Sequence, residues 1–230
     1  MLTRISWLVL FALCTLAAKP LQSLPALPYK SASAPNAFGS VALPLGPNKF
    51  SERWHRVASA GGSSRLSEII SPARSLDGTR QARFVNAVLN DRIEFRPEQG
   101  DRWATPAETL GSAAGDCEDF AVAKMHALKQ LGVPDRDLFL TVGQDTATRE
   151  AHAVLLLRSG GRFWVMDNRS DRLIPDSQFR DFTPTVSFRA DGKSWFHGTR
   201  HRLRNPDINE LLPGYKNRLR QPDVAELLAA

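Results

Sequence analysis

The feature that most constrains this chain is a pair of apolar runs separated by two glycines. Ala151 to Leu157 reads A-H-A-V-L-L-L, Gly160-Gly161 follows, and Phe163 to Asp167 reads F-W-V-M-D. Two strand-like runs joined by a Gly-Gly turn specify an antiparallel hairpin, because glycine takes the positive φ angles of such turns without steric cost. A hairpin register would set residues near 152 beside residues near 167. Leu138 to Val142 reads as an alternating strand ahead of the hairpin, and Thr185 to Phe188 and Ser194 to His197 as strands after it.

Helical patterns precede the strands. Asp116 to Leu131 carries Phe120, Val122, Ala123, Met125, Ala127, Leu128 and Leu131, and Gly132-Val133-Pro134 supplies its stop. The spacing of Phe84, Val85, Val88 and Leu89 predicts an amphipathic helix over Leu76 to Asn90. Short helices are expected over Phe50 to Val57 and after Pro106, with a small-residue loop over Gly111 to Gly115. There is no internal repeat. Helices first and an antiparallel meander afterwards define the α+β class, N-terminal helices packed on an antiparallel sheet.

At 230 residues and 42% hydrophobic content the chain suits one packed domain. Its net charge of +6 raises the question of nucleic acid, but position answers it. The excess crowds the C-terminus at Arg200, Arg202, Arg204, Lys216, Arg218 and Arg220, with few aromatics between. That pattern fits neither a helix-turn-helix nor a base-stacking platform, so a solvated basic tail and no nucleic-acid partner are expected. At the other end, Arg4 precedes the apolar run Trp7 to Leu16, and small residues follow at Ala17-Ala18. This predicts a signal peptide over 1–18, since a span needs about 20 residues. Export to the periplasm follows, with an uncleaved membrane anchor as the alternative. The expected order continues with a Pro/Ala/Ser-rich extended leader over 19–48, a single folded domain over 49–200 and a basic tail over 201–230.

Removing the signal peptide removes Cys14 and leaves Cys117 alone, unable to form an internal disulfide. A lone thiol in an oxidising compartment is a liability unless it is buried or used. A buried small hydrophobe is the plain alternative. Gly115-Asp116-Cys117-Glu118-Asp119 argues for use. It places the thiol in a first helical turn, where unpaired N–H groups and the positive end of the helix dipole favour a thiolate and can help hold an oxyanion. Asp116 is a natural N-cap with Asp119 three positions on, and Gly115 is expected to let a substrate backbone approach. The flanking acids, however, repel a thiolate, so an imidazolium or a cation must offset them. His152, taken alone, reads equally well as a core histidine. Asp167 closes the paired strand, which gives nucleophile, base and orienter. His126 lies too far along the Cys117 helix to reach the thiol.

Four stretches together carry a resemblance: Trp103-Ala104-Thr105-Pro106, Gly115 to Ala121, Ala151 to Leu155, and Val165 to Asn168. From roughly Phe50 to Trp195 the chain resembles the bacterial transglutaminase-like cysteine proteinases, among them the LapG-type periplasmic adhesin proteases. The resemblance implies a papain-like fold in its transglutaminase variant and a triad of Cys117, His152 and Asp167. It also implies Ca²⁺ held in part by Asp116 and Glu118, with further ligands needed to fill a site of six to eight oxygens. The implied substrate is a large surface adhesin cut near its amino-terminal anchor, releasing biofilm. The implied regulator is a cyclic-di-GMP-responsive inner-membrane receptor. Transamidation by a lysine amine uses the same triad, and a module that binds without turnover could keep the same fold, so both stay open at this point.

Overall fold

In the computed structural model, residues 34–48, 50–97 and 102–198 are described. The expected signal peptide, the first half of the leader and the basic tail lie outside them. In chain order the elements are strand β1 (Val41–Leu45), helices α1 (Ser51–Ala58), α2 (Ser64–Ile69) and α3 (Gly78–Arg92), and short strand β2 (Glu94–Phe95). Helix α4 (Pro106–Ser112), short strand β3 (Ala114–Gly115) and helix α5 (Cys117–Gln130) follow. The chain then runs through β4 (Leu138–Asp145), β5 (Ala151–Ser159), β6 (Arg162–Asp167), β7 (Ser170–Pro175), β8 (Phe182–Arg189) and β9 (Ser194–Gly198). Among the described residues no helix is long and apolar enough to cross a membrane.

Helix α5 is the centre of the fold, and its ends follow from local chemistry. Asp116 caps its start in a reciprocal box with Asp119. At its end Gly132 takes φ 91°, and the N–H groups of Gly132 and Val133 donate to Lys129 and Leu128 carbonyls at 3.0 and 2.9 Å, a Schellman motif. Every residue from Cys117 to Leu128 is buried, so the helix shows no one-sided stripe. α4 starts as neatly: Thr105 and Glu108 form a capping box with Pro106 at the first turn. The Thr105 N–H holds the Glu108 carboxyl down at about 2.

The sheet runs β1-β9-β8-β4-β5-β6-β7, antiparallel at every pairing. Helices cover one face. Leu138, Leu140, Val142, Ala153, Leu155, Leu157 and Phe188 meet α5 and the other helices there, together with Phe50, Trp54 and Trp103. On the opposite face Phe139, Val154, Leu156, Val165 and Trp195 pack under Ala37 and Ala42. Each side chain of this size that leaves water contributes about 1.5–3 kcal/mol. β4 therefore lacks the solvent face that simple alternation predicts: its first six residues are all buried.

The hairpin forms as its glycines require. Gly160 and Gly161 take φ 61° and 75°, the paired positive angles of a type I′ turn, and Ser159 pairs with Arg162. Three expectations change. The loop expected over Gly111 to Gly115 is the end of α4, a left-handed Ala113, and strand β3 pairing in parallel with β2. Val41–Leu45, inside the expected leader, is edge strand β1 of the main sheet. The helix expected from Leu76 starts at Gly78 because Asp77 holds the extended cap position.

Candidate active site

The structure brings His152 and Asp167 together. β5 pairs with β6 through Leu155↔Met166, which sets Asp167 near the start of β5, diagonal to His152. Their side chains are 3% and 9% exposed, and His152 Nε2 lies 2.8 Å from Asp167 Oδ1. The same oxygen accepts the Arg169 N–H at 3.1 Å. Burial works against the Asp167 carboxylate, but the His152 hydrogen bond and charge, the Arg169 N–H and the Lys124 charge outweigh it and hold its pKa below the usual range. An ionised carboxylate can only accept, so Nε2 carries the proton and Nδ1 presents its lone pair.

A close approach of β8 fixes the ring from the other side. Gly143 stands opposite His152 at the irregularity between β4 and β8. A Cβ there would come within 2.3 Å of the Thr183 carbonyl oxygen. The glycine lets β8 crowd in, and Phe182 presents its ring edge-on to the imidazole at 6.2 Å. Nothing in the sequence around Gly143 marks it out, because the bulge appears only when three strands are aligned.

Cys117 opens α5 and is 6% exposed. The backbone N–H of Ala153, the residue after His152, is aimed at its sulfur and favours the thiolate. Sγ–H donates to Glu118 Oε2 at 3.2 Å. Burial, then the charges of Glu118 and Asp116, push the thiol well above its ordinary pKa. The repulsion expected from the flanking acids is thus present, and the helix tip does not overcome it. Asp116 and Glu118 are 3% and 4% exposed and close enough to share a hydrogen bond, and burial raises the Glu118 pKa.

Asp119 does different work. Its Oδ1 accepts the Ala104 N–H at 2.6 Å and its Oδ2 the Asp116 N–H at 3.4 Å, tying the Trp103 segment to the helix start. A Cβ at Gly115 would lie 2.7 Å from that carboxyl. Gly115 therefore makes room for Asp119, not for the substrate backbone the sequence suggested. Among the described residues no three His, Cys, Asp or Glu side chains gather as metal ligands. Of the remaining histidines, His126 bonds the Val57 carbonyl at 2.8 Å and His197 bonds two hydroxyls. Sequence reasoning missed Lys124, which is wholly buried on α5.

Comparison with known proteins agrees with this architecture. Three solved structures of LapG from Legionella pneumophila resemble it. One is 24% identical, covering 66% of this chain and 90% of that one at a TM-score of 0.53. The calcium-bound form is 26% identical, with 64% and 87% covered at 0.53. The EGTA-treated form is 24% identical, with 67% and 89% covered at 0.55. No curated protein matches. The sequence profile described as "Bacterial transglutaminase-like cysteine proteinase BTLCP" matches residues 39–183, a span that holds β1–β7, all five helices and the whole Cys117–His152–Asp167 constellation. The chain is therefore a cysteine peptidase with a transglutaminase-like fold and belongs to the bacterial transglutaminase-like cysteine proteinase family.

Proposed function

We propose that the chain is a periplasmic, calcium-dependent endopeptidase that cuts a large surface adhesin through Cys117, His152 and Asp167. One observation carries the catalytic part. The thiol at the tip of α5 lies against the backbone of Ala153, directly after a histidine whose ring Asp167 orients at 2.8 Å. In this reading His152 Nδ1 takes the Sγ proton as sulfur attacks the peptide carbonyl. The proton then passes to the leaving amine and a thioester remains. Water, activated by the same nitrogen, releases the acid and restores the thiol. Asp167 keeps Nε2–H in place and balances the imidazolium as it forms.

Calcium fits the donor set in part. Asp116 and Glu118 offer two buried, converging carboxyls of the hard oxygen type that Ca²⁺ prefers, and carbonyls or waters would complete the shell. Bound there, the ion would supply positive charge beside the sulfur, where the protein's own charges oppose a thiolate. The calcium-bound LapG structure supports this reading. Export rests on Arg4 and the apolar run after it. The adhesin substrate, the role in biofilm release and control by a cyclic-di-GMP-responsive inner-membrane receptor rest on the family resemblance.

The test mixes the purified protein with surface proteins of its own cell, with and without Ca²⁺, beside the Cys117→Ala variant. Discrete cleavage that Cys117→Ala abolishes and excess chelator suppresses is the expected result. Cleavage unchanged in chelator removes the calcium requirement. Incorporation of a labelled amine in place of cleavage assigns transamidation instead.

A further inference from the structure

We propose that Lys124 is a positioning residue for the His152–Asp167 pair: a buried positive charge that acts through the Asp167 carboxylate and sets the pH range over which the pair can accept a proton. This rests on the reading of that pair as catalytic. Lys124 lies 124 − 117 = 7 residues after the thiol, two turns along the same face of α5. It is 0% exposed, and its Nζ has no hydrogen-bond partner. Its near neighbour is the Phe120 ring, 5.6 Å from the ammonium.

Lysine is almost never fully buried without a partner. An apolar side chain of similar volume would suit a helix flanked by Ala121, Ala123, Met125 and Leu128 at lower cost. What the lysine brings is charge, and two carboxylates feel it. The charged groups that reach it from the elements packed on α5 are Asp167 on β6 and Asp171 on β7. Asn90, on the neighbouring helix α3, joins these two residues: its Nδ2 donates to the Asp167 carbonyl at 3.0 Å and to Asp171 Oδ1 at 2.9 Å. One turn earlier Asn86 Nδ2 holds the Ser170 carbonyl at 2.7 Å. The Oδ1 atoms of both asparagines are buried without a hydrogen-bond partner, so the turn between β6 and β7 rests on polar groups and not on an apolar floor.

Burial brings Lys124 down to about 7, against the pull of Asp167 and Asp171. Below that pH Lys124 is a cation, which stabilises Asp167 as a carboxylate and opposes a second positive charge on the pair. Removing it lets the pair hold its proton to higher pH.

The experiment follows the His152 imidazole by NMR in full-length, ¹⁵N-histidine-labelled protein across pH, with the resonance assigned by its disappearance in His152→Ala. In Lys124→Met the titration midpoint should rise by about one pH unit, a roughly tenfold change in proton affinity. A midpoint unchanged in folded Lys124→Met overturns the proposal, because a structural role alone would lower the melting temperature without moving it. Lys124→Gln covers the case in which Lys124→Met does not fold. It also removes the charge and should raise the midpoint, and no movement there also overturns the proposal. The reading of the pair fails separately, if His152→Ala retains full proteolysis.

Discussion

His152 and His197 occupy strands of one sheet and are 3% and 5% exposed, yet they meet opposite surroundings. His152 turns Nε2–H to a carboxylate. His197 sits in a line of hydroxyls: Nδ1 is 2.7 Å from Ser40 Oγ, Nε2 is 2.7 Å from Ser187 Oγ, and Ser187 is 2.7 Å from Thr141 Oγ1. Ser40 directs its own proton to the Ala37 carbonyl at 2.6 Å, so it accepts from Nδ1–H. Nε2 then accepts from Ser187, and Ser187 from Thr141. Each proton has one place to go, and the ring must stay neutral. Burial holds His197 down at about 3. A carboxylate prepares a ring to become charged, whereas hydroxyls make it a spacer between strands, and burial alone does not distinguish the two.

The sharpest way to break this comparison is to remove the orienting partner. Asp167→Ala should lower kcat/KM for proteolysis roughly 10²–10⁴-fold with the fold retained by circular dichroism. His197→Ala should leave kcat/KM unchanged at a temperature where both variants are folded. Equal losses of activity in the two variants would erase the distinction.

The next effect is on stability. His197→Ala leaves Ser187 and Thr141, both 0% exposed, without the ring that ordered them, and opens a cavity. The expected loss is about 2–4 kcal/mol, read from the shift in denaturant midpoint. The pH arm has a definite sign. His197 has a folded pKa of about 3 against 6.5 in the open chain, so the unfolded chain binds the extra proton between those values. Its contribution is complete above about 6.5 and is lost as pH falls toward 3, by about 1.4 kcal/mol per unit at most. His197→Gln should flatten that part of the stability profile. A slope identical to wild type would show that the ring is not held neutral.

The two histidines also show what could be read beforehand. A-H-A-V-L-L-L and S-W-F-H-G both place a histidine in an apolar strand, and neither pattern reveals its partner. Asp167 could be paired with His152 because Gly160-Gly161 sets the register of one hairpin. Of the partners of His197, Ser187 lies across the short turn that joins β8 to β9, but Ser40 lies ahead of β1, joined to it only by the order of the finished sheet. β1 hid in a proline-rich segment: Val41–Leu45 contains Pro44, which a strand tolerates at a sheet edge, where β1 lies. β7, at the other edge, is polar at Ser170-Asp171-Arg172 and shows no apolar run. Lys124 is a residue that no sequence pattern singles out. Its burial follows from α5 being covered on all sides, which no single-helix period announces.

The smallest effect probes the outer end of the hydroxyl line. Ser40 is half-buried, unlike Ser187 and Thr141, so in Ser40→Ala water can take over the bond from the His197 Nδ1–H. The loss should therefore be about 1 kcal/mol or less, the net value of one ordinary hydrogen bond and not the penalty of a stranded donor. Thr141→Val, at the inner end, removes a donor where no water reaches and should cost more than Ser40→Ala in the same denaturant series. If Ser40→Ala proves the costlier of the two, the line does not run in the direction its distances indicate, and the proton of His197 belongs on Nε2.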